Sequence, residues 1–155
     1  VIVVSDRSAS GERADASGPA ASALLKDAGY DVTVSVIPDG EESVREEIQG
    51  ALVDGAQVVI TSGGTGIGPR DRTPEGTRSL LTRELPGIAE ELRRHGASKN
   101  PMAVLSRGLA GIADGHGSRA LVANLPGSVK AVGEGLEVLL PLIPHILDQL
   151  RGGDH

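Results

Sequence analysis

No cysteine occurs in this chain, nor any phenylalanine or tryptophan, and one tyrosine is its whole aromatic content. Without cysteine, disulfides, thiolate catalysis and cysteine-ligated zinc are excluded, and a reducing compartment is permitted, with the cytoplasm as the expected location. The near absence of aromatic rings removes the platforms on which bases stack. Acidic residues outnumber basic ones, 21 to 15, for a net charge of -6. That balance argues against nucleic acid or an anionic membrane as the main partner, and leaves a small anion escorted by a cation as an acceptable ligand. No apolar run approaches the roughly 20 residues needed to span a bilayer. Val1 opens in a strand-like run with no initiator methionine before it, so a trimmed natural N-terminus is expected.

Present instead is an aliphatic chain of 155 residues, 39% hydrophobic, whose core must be built from Val, Ile, Leu and Ala. Its length fits one domain, read here as residues 1–155. Strand-like and helix-like runs alternate, which predicts an α/β three-layer sandwich: a mostly parallel central sheet, helices on both faces and a small hairpin. Strands are expected at Val1 to Ser5, Tyr30 to Ile37 and Gln57 to Thr61, with a polar loop from Ser5 to Ser17. Helices are expected at Ala20 to Ala28 after a Gly18-Pro19 start, at Glu41 to Leu52, where Val44, Ile48 and Leu52 share a face, and at Pro74 to Arg83. Pro86-Gly87 should break that last helix, with a short one from Ile88 to Arg94 and loop from His95 to Asn100. Met102 to Leu105 reads as strand or buried connector, and Leu109 to Ala113 with Ala120 to Leu125 as the hairpin. From Val129 to Leu150 apolar residues recur every three or four positions, predicting a terminal helix that Pro141 and Pro144 interrupt.

The segment Thr61 to Gly76, TSGGTGIGPRDRTPEG, concentrates the chemistry. Glycines at 63, 64, 66 and 68 let a backbone come close to a ligand and adopt torsions that expose successive N–H groups to an anion. Thr73 is the expected N-cap and Pro74 the first helical residue, so the loop runs into the positive end of a helix. Arg70 offers phosphate a cation, and Asp71 offers Mg²⁺ a carboxylate. Neither GxGxxG nor GxxxxGK[ST] fits this segment, which disfavours a dinucleotide site and a P-loop. In a parallel α/β sheet the loops after the strands share one rim, so Ser5-Asp6 and Pro38-Asp39 should meet the glycine loop there. Asp39 is then either a partner of Asp71 at a metal or simply the middle of a Pro-Asp-Gly turn. Leu125-Pro126-Gly127-Ser128 forms a second strand-to-helix junction, with Ser128 either a plain N-cap or one of a second set of anion donors. Ser106-Arg107 supplies either a positioning cation or a solvated surface pair. His95, His116, His145 and His155 lack metal-ligand spacing and are expected at the surface or in packing.

Taken in order, VSD, Pro38-Asp39, TSGGTGIGPRDRTPE, Leu85-Pro86-Gly87, Leu105-Ser106-Arg107 and NLPGS resemble the MogA/MoaB family of molybdenum cofactor biosynthesis proteins over nearly the whole chain. The resemblance implies a homotrimer that binds molybdopterin and, with Mg²⁺ and ATP, adenylylates its terminal phosphate, releasing pyrophosphate; the product would pass to a molybdate-insertase protein. It implies Asp39 and Asp71 as catalytic and metal-binding. It places Ser62, Gly63, Gly64, Thr65, Gly66, Arg70, Thr73, Ser106, Pro126, Gly127 and Ser128 on the pterin, and Ser5, Asp6, Gly63 and Gly64 on the nucleotide. A catalytically silent molybdopterin carrier or scaffold of the MoaB type is the alternative, and a generic nucleotide- or phosphate-binding regulator a third. The sequence departs from many relatives in reading Arg72 before Thr73-Pro74, where Val is common, and in LPGSVK.

Overall fold

The computed structural model describes residues 1–153, so His155 lies outside the described residues. Six strands form one sheet: β1 (Ile2–Val4), β2 (Ser35–Ile37), β3 (Val58–Ser62), β4 (Leu81–Glu84), β5 (Ala110–Asp114) and β6 (Arg119–Leu125). Their spatial order is β2-β1-β3-β6-β5-β4. β2, β1, β3 and β6 run parallel, β5 adds antiparallel to β6 and β4 antiparallel to β5, so the sheet is mostly parallel with a hairpin at one side. Around it lie α1 (Asp6–Ala9), α2 (Ser17–Asp27), α3 (Glu41–Val53), α4 (Thr73–Arg78), α5 (Pro86–Lys99), α6 (Val129–Leu139) and α7 (Ile143–Leu150), with a 3₁₀ turn at Pro101–Leu105.

Strand alternation divides the apolar side chains between two cores. Ile60, Leu121, Ala123 and Leu125 face a layer containing Leu25 of α2, Val132, Leu136 and Leu139 of α6, and Ile143 and Leu147 of α7. Val59, Ala120 and Val122 face the other way, onto Val44, Ile48 and Leu52 of α3. These α3 residues are the four-residue stripe visible in the sequence, and all three are buried. The expected terminal helix is interrupted between Leu139 and Ile143, and Pro144 falls in the first turn of α7, where its missing N–H costs nothing.

The region between the glycine loop and the hairpin departs from expectation. α4 ends at Arg78, and Leu81 to Glu84 become strand β4, because pairing with β5 (Leu81 with Ala113, Glu84 with Gly111) overrides local helix preference. Pro86 opens α5 rather than breaking a helix, again at a position that tolerates proline, and α5 absorbs His95 to Lys99, expected to be loop. Met102, Val104 and Leu105 are exposed on the 3₁₀ turn, neither strand nor buried; the Asn100 side chain accepts from Met102 N at 3.1 Å and turns the chain. β2 is three residues long, not the eight of Tyr30 to Ile37. At the other end, the loop after β1 contains the short helix α1, capped by Ser5. α2 begins at Ser17, where the Asp15 carboxylate accepts from Ser17 N and Gly18 N.

Candidate active site

The carboxyl ends of the parallel strands gather the sequence motifs around one cleft of about 930 Å³. Ser5 and Asp6 follow β1, Asp39 follows β2, Ser62 to Gly66 follow β3, and Pro126 to Ser128 follow β6; all line it, as do Asp71 and Ser106. Arg70 and Thr73, expected at the ligand, do not.

The glycine loop is held from beneath by buried hydroxyls. Gly63 and Gly64 have φ of 113° and 63°, the left-handed region that glycine enters without a Cβ clash. The Gly63 N–H donates to Leu125 O at 2.9 Å, and a Cβ on Gly127 would lie 3.2 Å from Gly63 Cα, so the two glycine corners pack back to back. Thr73 is not the N-cap of α4 but its first residue, after Arg72. Its hydroxyl is committed elsewhere, donating to Gly63 O at 2.8 Å, while Thr73 N donates to Gly64 O at 3.0 Å. Below it the Thr77 hydroxyl donates to Thr73 O (2.8 Å), and the Asn124 amide donates to Thr77 Oγ1 (2.9 Å) and Thr61 Oγ1 (3.0 Å) while accepting from Leu109 N (3.0 Å). Asn124, 2% exposed, thus joins β3, α4 and the start of the hairpin. Asn124→Leu should cost about 3 kcal/mol, since it strands several buried partners at once; urea unfolding measures it, and a loss under about 0.5 kcal/mol would refute the network's weight.

The carboxylates take up the flanks. Asp39 and Asp6 exchange reciprocal bonds, Asp6 N to Asp39 Oδ2 at 2.8 Å and Asp39 N to Asp6 Oδ1 at 3.0 Å. The other Asp39 oxygen, Oδ1, lies 3.2 Å from where a Cβ on Gly64 would sit. Asp71 Oδ2 accepts from Gly68 N at 2.8 Å and would lie 2.8 Å from a Cβ on Gly66 or Gly68. Glycine at these positions is therefore what lets both acids lie against the loop. Arg70 does not stand free for phosphate: its guanidinium grips Asp6 through Nε at 3.1 Å and Nη2 at 3.0 Å, and Nη2 also donates to Asp39 O at 2.6 Å. The Arg70 guanidinium, helped by the Asp39 N–H, holds the Asp6 carboxyl below the usual carboxylate range. Asp6 is thus the brace between Asp39 and the loop, a role its place beside β1 did not disclose.

Arg107, one alternative of the Ser106-Arg107 pair, is a working cation. It donates from Nε to Gly66 O at 2.7 Å, from Nη2 to Asp71 O at 2.6 Å, and from Nη1 to Glu75. The guanidinium keeps the Glu75 carboxyl below its ordinary value of 4.5. A carboxyl depressed by folding adds stability that is complete above its unfolded pKa and lost as pH falls through the folded one. Glu75→Gln should therefore destabilise the protein at neutral pH and make little difference well below pH 4.5, read from unfolding midpoints across that range; an equal loss at both ends would contradict it. Ser128 is the N-cap of α6, its hydroxyl accepting from Ala131 N at 3.1 Å. His95 pairs with Glu137 and His145 with Gln149, both exposed. Among the described residues no group of three or more His, Cys, Asp or Glu forms a metal cage, and no helix is long and apolar enough to cross a membrane.

A mostly parallel α/β sheet whose strand ends carry two back-to-back glycine corners, flanked by aspartates, has the build of domains that take a ligand at the carboxyl rim of the sheet. Residues 1–145 match the family model described as a probable molybdopterin binding domain, and the chain belongs to that family. It is 41% identical over 152 residues to a molybdopterin adenylyltransferase of Pyrococcus furiosus, covering 97% of this chain and 89% of that one. A molybdenum cofactor biosynthesis bifunctional protein of Synechococcus elongatus is 41% identical over all of this chain, which spans 48% of that relative's length. A solved structure of MogA superposes with a TM-score of 0.90 at 43% identity, covering 96% of both chains. The tungsten cofactor synthesizing protein MoaB from Pyrococcus furiosus gives 0.89 at 40%, covering 97% of this chain and 94% of that one.

Proposed function

We propose that this chain acts in molybdenum cofactor biosynthesis as a molybdopterin adenylyltransferase, working with Mg²⁺ and ATP. The observation that carries the reading is the convergence of Asp39, Asp71 and two glycine corners on one cleft, in a chain whose relatives include proteins named for this activity. In the reaction an oxygen of the terminal phosphate of molybdopterin bonds to the α-phosphorus of ATP, the α–β bridging P–O bond breaks, and pyrophosphate leaves. The attacking phosphate is already ionised, so no protein base has to remove a proton, which suits a site without a nucleophile relay. The loop from Gly63 to Gly66 and the corner at Gly127-Ser128 hold and orient the pterin phosphate through N–H and hydroxyl donors, and Ser5 and Asp6 lie on the nucleotide side.

Asp39 and Asp71 fit Mg²⁺ by donor chemistry: this ion takes one or two carboxylates and completes its shell with water and substrate phosphate rather than an all-protein cage. Bound there, Mg²⁺ supplies charge neutralisation for a polyphosphate next to an acidic protein. Assembly as a homotrimer, hand-over of product to a molybdate-insertase and a cytoplasmic location belong to the same reading. The test is incubation with molybdopterin and Mg-ATP, with detection of pyrophosphate and adenylylated pterin. Both products are expected; pterin binding without pyrophosphate would replace this reading with a silent carrier, and nucleotide binding without pterin with a regulator.

A further inference from the structure

The glycine loop is anchored in two halves. Gly63 and Gly64 hang on the buried hydroxyl network through Thr73, whereas the six residues from Gly66 to Asp71 have a different support. This lobe carries the Asp71 carboxylate on its inner side, closed by Gly68 N to Asp71 Oδ2 at 2.8 Å and Asp71 N to Gly68 O at 3.1 Å. Its tip is solvated, with Ile67 73% exposed, and Arg70 ties its outer side to Asp6 and Asp39 O, so polar bonds rather than packing hold it in place. Its two end carbonyls, those of Gly66 and Asp71, both point to one guanidinium, that of Arg107. The Arg107 N–H also donates to Thr65 O at 2.8 Å, and Glu75 on α4 fixes the far side of the guanidinium.

We propose that Arg107 is a positioning residue whose guanidinium clamps both ends of the Gly66 to Asp71 lobe and so sets where the Asp71 carboxylate stands in the cleft. The inference rests on the adenylyltransferase reading for its consequence in turnover, but not for the clamp itself. A planar fork with fixed donor directions can bridge two carbonyls and a carboxylate together; an ammonium can serve them only as a point charge. A carboxylate displaced by about 1 Å forfeits roughly 10²-fold in rate, so the clamp's loss should be felt although Arg107 touches no reacting atom.

The experiment compares wild type with Arg107→Gln and Arg107→Lys, by amide hydrogen exchange across residues 66–72 and by turnover of molybdopterin with Mg-ATP. Arg107→Gln is expected to speed exchange of the Gly68 and Asp71 amides about tenfold while α3, β3 and α6 exchange as in wild type, because only the lobe opens. Turnover should fall roughly 10- to 100-fold, less for Arg107→Lys, with the loss in kcat rather than in KM for the pterin. On an Asp71→Asn background the same change should cost less than about twofold, since the group being positioned has gone. Unchanged lobe exchange, acceleration spread over the whole molecule, or an equal rate loss on both backgrounds would each overturn the proposal. If wild type releases no pyrophosphate, the functional reading fails while the exchange measurement still decides the clamp.

Discussion

Gly63→Ala unfolds at a markedly lower urea concentration than wild type and loses ligand binding. At φ 113° an alanine is strained wherever it stands, and here its Cβ would be driven far inside contact distance of the Val4 carbonyl oxygen. That oxygen belongs to the end of β1 and cannot swing aside like a flexible side chain. Torsional strain of about 1–3 kcal/mol adds to overpacking of about 1–3 kcal/mol, a sum on the order of a third of the stability of a typical domain. Relief requires the loop to rise from β1, which separates Gly63 from Leu125 O and from Gly127 and so spoils both glycine corners together. The contrast is Gly11→Ala, also at positive φ (81°) but with nothing within 4 Å of a Cβ, which should cost only the torsional share. Equal midpoint shifts for the two variants would show that crowding at Val4 is not the cause.

What could be read from the chain follows how local its cause is. The α3 stripe, the hairpin, the Ser128 cap and the left-handed turn at Gly63-Gly64 each depend on residues within about one turn or one strand of each other, and all appear as expected. The misreadings fall where a distant partner decides. β4 exists because β5 is there to pair with it, and α5 runs on past Arg94 alongside α6, where His95 bonds Glu137 at 2.9 Å. Proline signalled an interruption at 86 when the backbone was using it to start a helix. The signal was correct that the chain changes direction, but not in which element it does so.

The same division runs through the site. Asp39 and Asp71 were legible from motif context, and the fold brings both to the cleft. Arg70 reads as a ligand contact because it is a cation beside a phosphate loop, whereas its partner is Asp6, 64 residues away in the chain. Thr77 carries no chemical signature and Asn124 only opens the NLPGS motif; the sheet and α4 together reveal that they bond. The pattern has a physical basis: loops that must meet a charged ligand expose their donors, so the residues fixing those loops come from behind, on other elements.

Exchanging Asp39 or Asp71 for asparagine separates charge from architecture. Asparagine keeps the volume and one carbonyl-type acceptor, so Asp71→Asn can still accept from Gly68 N, and Asp39→Asn can still accept from Asp6 N. Each variant is therefore expected to unfold within about 1 kcal/mol of wild type. Turnover of molybdopterin with Mg-ATP, in contrast, should fall on the order of 10²–10³-fold, because a negative charge meant to meet a cation at the polyphosphate has been replaced by a dipole. The two variants should also differ from each other in one respect. Asp39 is tied to Asp6 and through it to Arg70, so Asp39→Asn leaves the Asp6–Arg70 pair as the remaining charge balance, with the Arg70 guanidinium still bonded to Asp39 O. Asp71 has no such neighbour on its carboxylate, only a backbone N–H, so its loss is the cleaner removal of one charge from the cleft. Raising Mg²⁺ should accordingly recover part of the rate in both variants, and wild-type turnover in both would exclude these carboxylates from metal and polyphosphate alike.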